Sequence, residues 1–328
     1  MLYELQSEIR NAVESYCDEP ALREGMLQEL SSPGFALHPD ARCTAGLVTL
    51  KVYEAIYGSL ATAAFQAAVA VELYMEAGIL FDDIADDELD SAQGMSTAEG
   101  LTVAVGLMAC GGRAACEAGQ QVGSDAKGLG LLIQLQRDCL IGCSGQLMDA
   151  RLQKRVGIST DEALEMTCRK SGSLGRSASA LGAIMATEDS ETIDLFREFG
   201  FNLFSYLQLI DDLRDACPAD GNMRDLEQHK KTLPIAYFYN YLMQEYTGPD
   251  GAIIPWEYDN WANQDIRREY SSSGADMFCA IVAETFLNRA KSILVTLKGK
   301  VRTVEGLEHF VSSMEISPDE VFAVAQVA

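Results

Sequence analysis

The chain has 328 residues, of which 48% are hydrophobic, so it can build a sizeable core in one large domain or two small ones. Its formal net charge is −24 at pH 7, so nucleic acid and anionic membrane surfaces are poor partners because like charges repel. A divalent cation could still bring a phosphorylated small molecule to this acidic chain, because such an ion inverts the local sign of charge.

No export or membrane segment is expected from the sequence. The N-terminal residues MLYELQSEIR lack a basic stretch followed by an apolar one, so no secretory signal is visible. The longest uncharged run, Ala55–Val71, is short and weakly apolar for a bilayer span, so it predicts a buried helix instead.

The nine cysteines are odd in number and lack the paired spacing of a disulfide framework, which predicts a reducing cytoplasmic location. Cys139 and Cys143 could share a helix face. With three histidines in the chain and none nearby in sequence, a zinc site is not expected there.

The predicted secondary structure is nearly all α, because apolar residues recur at helical spacing and alternating β-branched runs are scarce. Ser159 or Thr160 is expected to cap a helix with acidic residues in its first turn. Breaks between long helices are predicted where glycine, proline and small polar residues gather, at 31–40, 120–128, 155–160, 186–190 and 216–222. The segment 246–265 holds both tryptophans and several helix breakers, and predicts a long loop.

Five carboxylates fall within residues 82–88, directly after the apolar approach GILF. On a helix, Asp82 and Asp86 share one face with Asp83 beside them, and that face repels itself unless a cation neutralises it. A solvated surface is the usual fate of such a charge run, so for this cluster alone that interpretation stays open.

A second copy of the pattern lies in YLQLIDDLRD, residues 206–215, where Asp211 and Asp215 are again four apart and Asp212 adjoins them. It also follows an apolar approach, LQLI. Mg²⁺ prefers oxygen ligands and bridges carboxylates to substrate phosphates. Two matched clusters therefore predict a magnesium site that binds one diphosphate.

Basic residues that could face this diphosphate are Lys170 in CRKSGSLG, and Lys230 and Lys231 in DLEQHKKTLP. A single lysine is more often a solvated surface charge than a ligand. Their position beside helical segments with small residues favours a phosphate-binding role.

These motifs resemble those of the trans-isoprenyl diphosphate synthase family, in the same order and at similar spacing. The matching segments are DDIAD at 82–86, GQLMD at 145–149, KSGSL at 170–174, YLQLIDDLRD at 206–215 and DLEQHKKTLP at 225–234. The resemblance implies one isoprenoid synthase domain over residues 1–328: an all-α, antiparallel helical bundle with a deep central cavity. It also implies three Mg²⁺ ions, an allylic prenyl diphosphate substrate and a homodimer.

The resemblance carries family roles onto particular residues. Family residues that bind Mg²⁺ on two walls of the cavity fall on the two clusters: Asp82, Asp83 and Asp86, and Asp211, Asp212 and Asp215. Family residues that contact the allylic diphosphate or lie near its reacting end fall on Lys170, Lys230, Gln146, Gln208 and Thr232.

Three positions depart from the family pattern where family members bind the second substrate, isopentenyl diphosphate. The family motif GGKRxRP corresponds to HPDARCTAG, residues 38–46, in which only Arg42 is basic. The family histidine seven residues before the first cluster is Met75, and the two arginines of RRGxPT are Ala92 and Gln93. With these charges missing, the leading hypothesis is a terpene cyclase, a lyase that ionises geranylgeranyl or farnesyl diphosphate and lets the cation react with its own double bonds in a dry cavity.

The residues just before the first cluster bear on cavity depth. Family members with short products carry a bulky aromatic residue there, whereas this chain has Ala77 and Gly78. Small side chains predict room for a C20 or longer tail, with Met75 as an alternative floor. Phe81 and Phe204 are candidates for stabilising a carbocation through their ring faces, although core packing is the commoner role for each.

Three alternatives remain open. A chain-elongating synthase could rebuild the pocket for isopentenyl diphosphate from Arg42, Lys51 or Arg113. A transferase that prenylates a peptide would also keep both clusters. A non-catalytic subunit of a heteromeric synthase is disfavoured, because it would not need them.

Overall fold

The computed structural model of the chain describes residues 1–86, 89, 95–155, 157–216, 225, 228, 230–245 and 263–315. Within these residues the regular structure is helical apart from an isolated bridge between Lys298 and Val301. The helices, numbered in chain order, are α1 Leu2–Tyr16, α2 Pro20–Leu30, α3 Thr44–Tyr57, α4 Thr62–Ala85, α5 Thr97–Gln121, α6 Asp125–Leu152, α7 Thr160–Thr167, α8 Ser173–Ala186, α9 Ser190–Ala216, α10 Leu233–Glu245, α11 Asn263–Ser273, α12 Ala275–Leu297 and α13 Glu305–Ser312. A π-helical turn, Cys168–Gly172, joins α7 to α8. The all-α prediction is therefore confirmed.

The chain divides into two compact units, each built from three separated segments. The first contains residues 1–141, 173–201 and 290–310. In it, α4 packs along α5 and against α3 and α8. Helices α4 and α5 run antiparallel, since Gly100 lies beside Ile84 and Gly111 beside Tyr74. A Cβ at Gly111 would lie 2.8 Å from the carbonyl oxygen of Ala70, so glycine permits this close helix packing.

Helix α4 lies in the core of the first unit, with residues 63–73 buried. By length and composition, α4 and α5 could each span a membrane, but 72% and 50% of their most apolar windows are buried inside the protein. A buried core helix passes the same test, so this is weak evidence for a membrane span. The uncharged run 55–71 is not one helix as predicted, because Gly58, at φ 96°, ends α3 and α4 begins four residues later.

The second unit contains residues 142–172, 202–289 and 311–328, described within the ranges given above. Its core includes Ala216, at the end of α9, together with aromatic residues of α10 and α11. Phe238 and Tyr270 pack edge to face with ring centres 5.3 Å apart. This cluster fixes the C-terminal end of α9, where the second aspartate cluster lies.

Most predicted breaks fall between helices. Residues 31–43, 122–124, 153–159 and 187–189 all separate helices, as expected. Ser159 is the predicted N-cap: its Oγ accepts a hydrogen bond from Glu162 N at 3.1 Å, and its own N–H donates to Glu162 Oε2 at 3.0 Å. The predicted break at 216–222 and the predicted loop at 246–265 lie mostly outside the described residues. Their described ends are helical instead, since α9 runs to Ala216 and α11 begins at Asn263.

Candidate active site

The first aspartate cluster lies at the C-terminal end of α4. Asp82 and Asp83 are in its last turn, and Asp86 follows Ala85. The N–H of Asp86 donates to the carbonyl oxygen of Asp82 at 2.9 Å, so Asp82 and Asp86 share a helix face as predicted. All three are partly exposed, at the helix end where the macrodipole disfavours anions. The other acidic residues of this run, Asp87, Glu88 and Asp90, lie outside the described residues.

The residues before this cluster occupy different faces of α4. Gly78 and Met75 lie one and two turns before Asp82 on the same face, and Gly78 is exposed. A Cβ at Gly78 would meet nothing within 4 Å. Ala77 is instead fully buried, while Phe81 is partly exposed. Gly78 is thus the small residue that leaves open space near the cluster.

The second cluster lies in the last two turns of α9 within the second unit. Asp211 and Asp215 are exposed on one face, and Asp211 pairs with Arg214 at 3.2 Å. Asp212 is buried, with 5% of its surface exposed. The spacing therefore predicts the exposed pair correctly but does not reveal that Asp212 points into the protein.

Asp212 accepts two hydrogen bonds, one from its own helix α9 and one from α7. Gln208 Nε2 donates to its Oδ1 at 2.9 Å, and Thr167 Oγ1 donates to its Oδ2 at 3.4 Å. Ser171 Oγ donates to Gln208 Oε1 at 2.6 Å, which fixes the amide orientation. Burial raises the pKa of Asp212 to about 8, with Asp225 and Asp211 raising it further and Gln208 and Lys170 opposing the shift. A buried carboxylate that lacks full compensation is a suitable ligand for a divalent cation.

Lys170 lies in the π-helical turn, a type of irregularity found frequently at functional sites. A Cβ at Gly145 would lie 2.6 Å from Lys170 N, so glycine in α6 allows this turn to pack closely. Lys170 Nζ lies 3.6 Å from Asp149 Oδ2 and lowers the pKa of Asp212. The structure therefore brings Lys170, Gln208 and Asp212 together, with Gln146 on α6 next to Gly145 and partly exposed.

The predicted residues Lys230 and Thr232 surround Asp225. Thr232 Oγ1 donates to Asp225 Oδ2 at 2.8 Å, and Lys230 N donates to the Asp225 carbonyl oxygen at 2.8 Å. Burial raises the pKa of Asp225 to about 6. Lys231 is 4% exposed, with Nζ 4.1 Å from the centre of the Tyr239 ring, so Lys230 is the accessible lysine of this pair.

Sequence reasoning gave no role to Asp149 or Asp225, although both fall in the motifs GQLMD and DLEQHKKTLP. The sequence feature that could have identified them is an acidic residue within the same motifs as the candidate lysines and glutamine. Phe204 is buried, with 4% exposed, and packs as a core residue of the second unit.

Comparison with known proteins identifies the family. The model of the polyprenyl synthetase family matches residues 35–247. The chain therefore belongs to the polyprenyl synthetase family.

Among its relatives, a geranylgeranyl diphosphate synthase of Sulfolobus acidocaldarius is 24% identical over 71% of this chain and 72% of its own length. A geranylfarnesyl diphosphate synthase of Natronomonas pharaonis is 30% identical over 51% of each chain, so that match spans about half of the relative's length. Among solved structures, a polyprenyl synthetase from Streptomyces coelicolor superposes with a TM-score of 0.76 at 20% identity, covering 96% of this chain and 98% of the other. The isoprenoid synthase fold is thereby confirmed.

The terpene cyclase hypothesis is wrong, and so is the assignment to the lyases. The curated relatives are named as prenyl diphosphate synthases, which are transferases. The hypothesis depended on missing charges at residues 38–46, 75 and 92–93. Such an absence is weak evidence, because any cation that folding brings near a diphosphate can neutralise it. Ala92 and Gln93 also lie outside the described residues.

The polyprenyl synthetase family generally uses Mg²⁺. The residues present fit this ion, because both clusters are carboxylates at negative helix ends and Asp212 is a buried carboxylate with a raised pKa. A bound divalent cation would offset the unfavourable charge at both places.

Proposed function

We propose that the protein is a chain-elongating trans-prenyltransferase that joins an allylic prenyl diphosphate to isopentenyl diphosphate. The C1–O bond of the allylic substrate breaks and releases diphosphate, a C–C bond forms to isopentenyl diphosphate, and the product loses one proton. The observation that carries this proposal is the grouping of Lys170, Gln208 and Asp212 in a member of the polyprenyl synthetase family. The names of the relatives support the same reaction.

The candidate site residues have different roles in binding and ionising the allylic substrate. Lys170 and Lys230 bind its diphosphate as cations, and Gln146, Gln208 and Thr232 orient the groups around it. The carboxylates of the two clusters hold Mg²⁺, with three ions as the proposed number. When bound, Mg²⁺ neutralises the diphosphate and makes it a better leaving group.

Arg42 is the best supported of the three candidate cations for isopentenyl diphosphate. Lys51 stacks over Phe310 at 5.4 Å, and Arg113 stacks over Tyr16 at 4.5 Å while donating to its carbonyl oxygen. Arg42 is exposed and, among the described residues, has neither a hydrogen bond nor an ion pair. It therefore remains available to a second diphosphate.

The reaction is tested by incubating the protein and Mg²⁺ with farnesyl or geranylgeranyl diphosphate, with and without isopentenyl diphosphate. A longer diphosphate formed only with both substrates supports chain elongation. Hydrocarbon from the allylic substrate alone, or no product in either mixture, contradicts it.

Gly78 is proposed to leave room for the growing prenyl chain. Gly78→Phe is expected to shorten the main product by at least one C5 unit, because the ring would fill open space one turn from Asp82. Chromatography of the dephosphorylated products measures this change. Gly306→Phe is the matched control, because Gly306 also has nothing within 4 Å of its Cβ position. Unchanged product length in Gly78→Phe would contradict the role.

A homodimer is proposed to form through the exposed apolar residues of α5 and α6. Val105, Ile133 and Leu140 are 60%, 56% and 72% exposed, an unusual amount of apolar surface for two neighbouring helices. Leu140→Glu is expected to give a monomer in analytical ultracentrifugation. Val295→Glu, at a residue 63% exposed on α12, should leave the dimer intact. A dimeric Leu140→Glu would exclude this interface.

The chain is also proposed to act as one domain, because neither compact unit is a single contiguous segment. A cytoplasmic location is proposed from cysteine chemistry. The eight cysteines in the described part of the chain are free thiols, which suits a reducing compartment.

A further inference from the structure

Two buried glutamates of α4 lie beneath residues 36–46, a segment (hereafter the 36–46 segment) that includes Arg42. Glu72 and Glu76 are 2% and 3% exposed. Glu72 Oε2 accepts a hydrogen bond from Gly46 N at 2.6 Å, in the first turn of α3. Glu76 lies one turn later on the same face of α4, close enough to Ala36 N and to Glu72 for both to affect its pKa. Glu72 thus binds the α3 end of the 36–46 segment, and Glu76 lies close to its Ala36 end.

The 36–46 segment has a conformation that needs such support. Cys43, the residue after Arg42, has φ 45°, in the left-handed region that costs a non-glycine residue about 1–2 kcal/mol. Its Sγ–H donates to the carbonyl oxygen of Ala36 at 3.4 Å, a contact within the segment. A Cβ at Gly46 would lie 2.7 Å from Leu5 Cδ2 and 3.2 Å from Glu72 Oε2, so glycine allows this close approach without a shift of either side chain.

The acidic pair is stable only if it retains a proton. Burial raises the pKa of both glutamates, and the charge of Glu72 raises that of Glu76 further. The titratable groups that face the pair are Glu29 from α2, also buried, and the Cys43 thiol. Glu76 is therefore the neutral acid, and Glu72 carries the negative charge that favours the N-terminus of α3.

We infer that Glu72 and Glu76 are positioning residues for the second substrate: Glu72 binds the α3 end of the 36–46 segment, Glu76 lies beside Glu72 beneath the other end, and together they hold Arg42 in place. This inference rests on the proposed function. Neither glutamate touches substrate. Both act through Arg42, whose guanidinium would bind the diphosphate of isopentenyl diphosphate.

Glu76→Ala is expected to raise KM for isopentenyl diphosphate about tenfold, because Glu72 loses the buried carboxyl group beside it. KM for the allylic substrate and kcat should stay within about twofold of wild type. Glu76→Gln should restore most of the affinity, since an amide can still donate to Glu72. Glu29→Ala is the control for loss of a nearby buried glutamate. Because it removes a charge that repels Glu76, it should leave KM for isopentenyl diphosphate unchanged or lower it.

The pH profile separates positioning from general stability. In wild type, a raised folded pKa means that the shared proton is held at low pH and lost as pH rises through that pKa, leaving two like charges buried together. KM for isopentenyl diphosphate should therefore increase toward alkaline pH in wild type and increase less in Glu76→Gln. KM for the allylic substrate should have the same pH dependence in wild type and in Glu76→Gln.

The outcomes are distinguishable. If wild type does not use isopentenyl diphosphate, the proposed function and this inference both fail. If wild type uses it but Glu76→Ala changes neither KM, or changes both equally, only the inference fails. Should Glu76→Ala not fold, hydrogen-exchange protection factors at the amides of Ala36 and Gly46 decide instead, because they correct for the intrinsic rise of exchange with pH. Protection that falls toward alkaline pH in wild type but not in Glu76→Gln supports the inference, and identical profiles overturn it.

Discussion

Replacing Asp82 or Asp211 by alanine is expected to lower kcat/KM by roughly 100-fold or more, because each change removes a carboxylate that binds Mg²⁺. Stability should stay close to wild type or rise, since each residue lies at the negative end of a helix beside other aspartates. Steady-state kinetics at saturating Mg²⁺ and thermal unfolding without Mg²⁺ measure the two effects.

Asp18→Ala is the control for loss of one negative charge, because Asp18 is exposed and lies outside both clusters. It should change neither activity nor stability. Strong destabilisation by both Asp82→Ala and Asp211→Ala would instead mean that the clusters are structural. Wild-type activity in either variant would remove that cluster from the proposed site.

Lys170→Ala is expected to reduce kcat/KM for the allylic substrate by about 10- to 100-fold, because the variant loses a cation that would bind the departing diphosphate. The pKa of Asp212 should rise further above 8, since Lys170 opposes the effect of burial there. Steady-state kinetics with each substrate varied in turn would show this loss in kcat/KM for the allylic substrate.

Arg169→Ala is the matched control for Lys170→Ala. Arg169 is the preceding residue in the same π-helical turn, but it is exposed and pairs with Glu165 at 2.6 Å. Loss of this ion pair should change kcat/KM for the allylic substrate little, because exposed ion pairs usually contribute little free energy. Equal losses in the two variants would mean that Lys170 acts only by supporting the turn.

Predictions from the sequence succeeded where the signal was local. Helical periodicity gave the all-α class, small polar residues gave the breaks, and four-residue spacing gave the shared faces of Asp82 and Asp86 and of Asp211 and Asp215. The motif resemblance gave the family, which the match over residues 35–247 confirms. The choice of reaction was wrong because it gave weight to charges absent at particular positions.

The sequence by itself determined the fold class, the family and the residue types of the candidate site, because periodicity and spacing are properties of neighbouring residues along one helix. Only the tertiary structure decided which of these residues are buried and paired. It showed Asp212 buried against Gln208 and Thr167, Asp225 bound by Thr232, and Glu72 and Glu76 beneath the 36–46 segment. The physical reason is that burial and charge pairing depend on helices distant in sequence packing together, and these set the pKa of each carboxyl group.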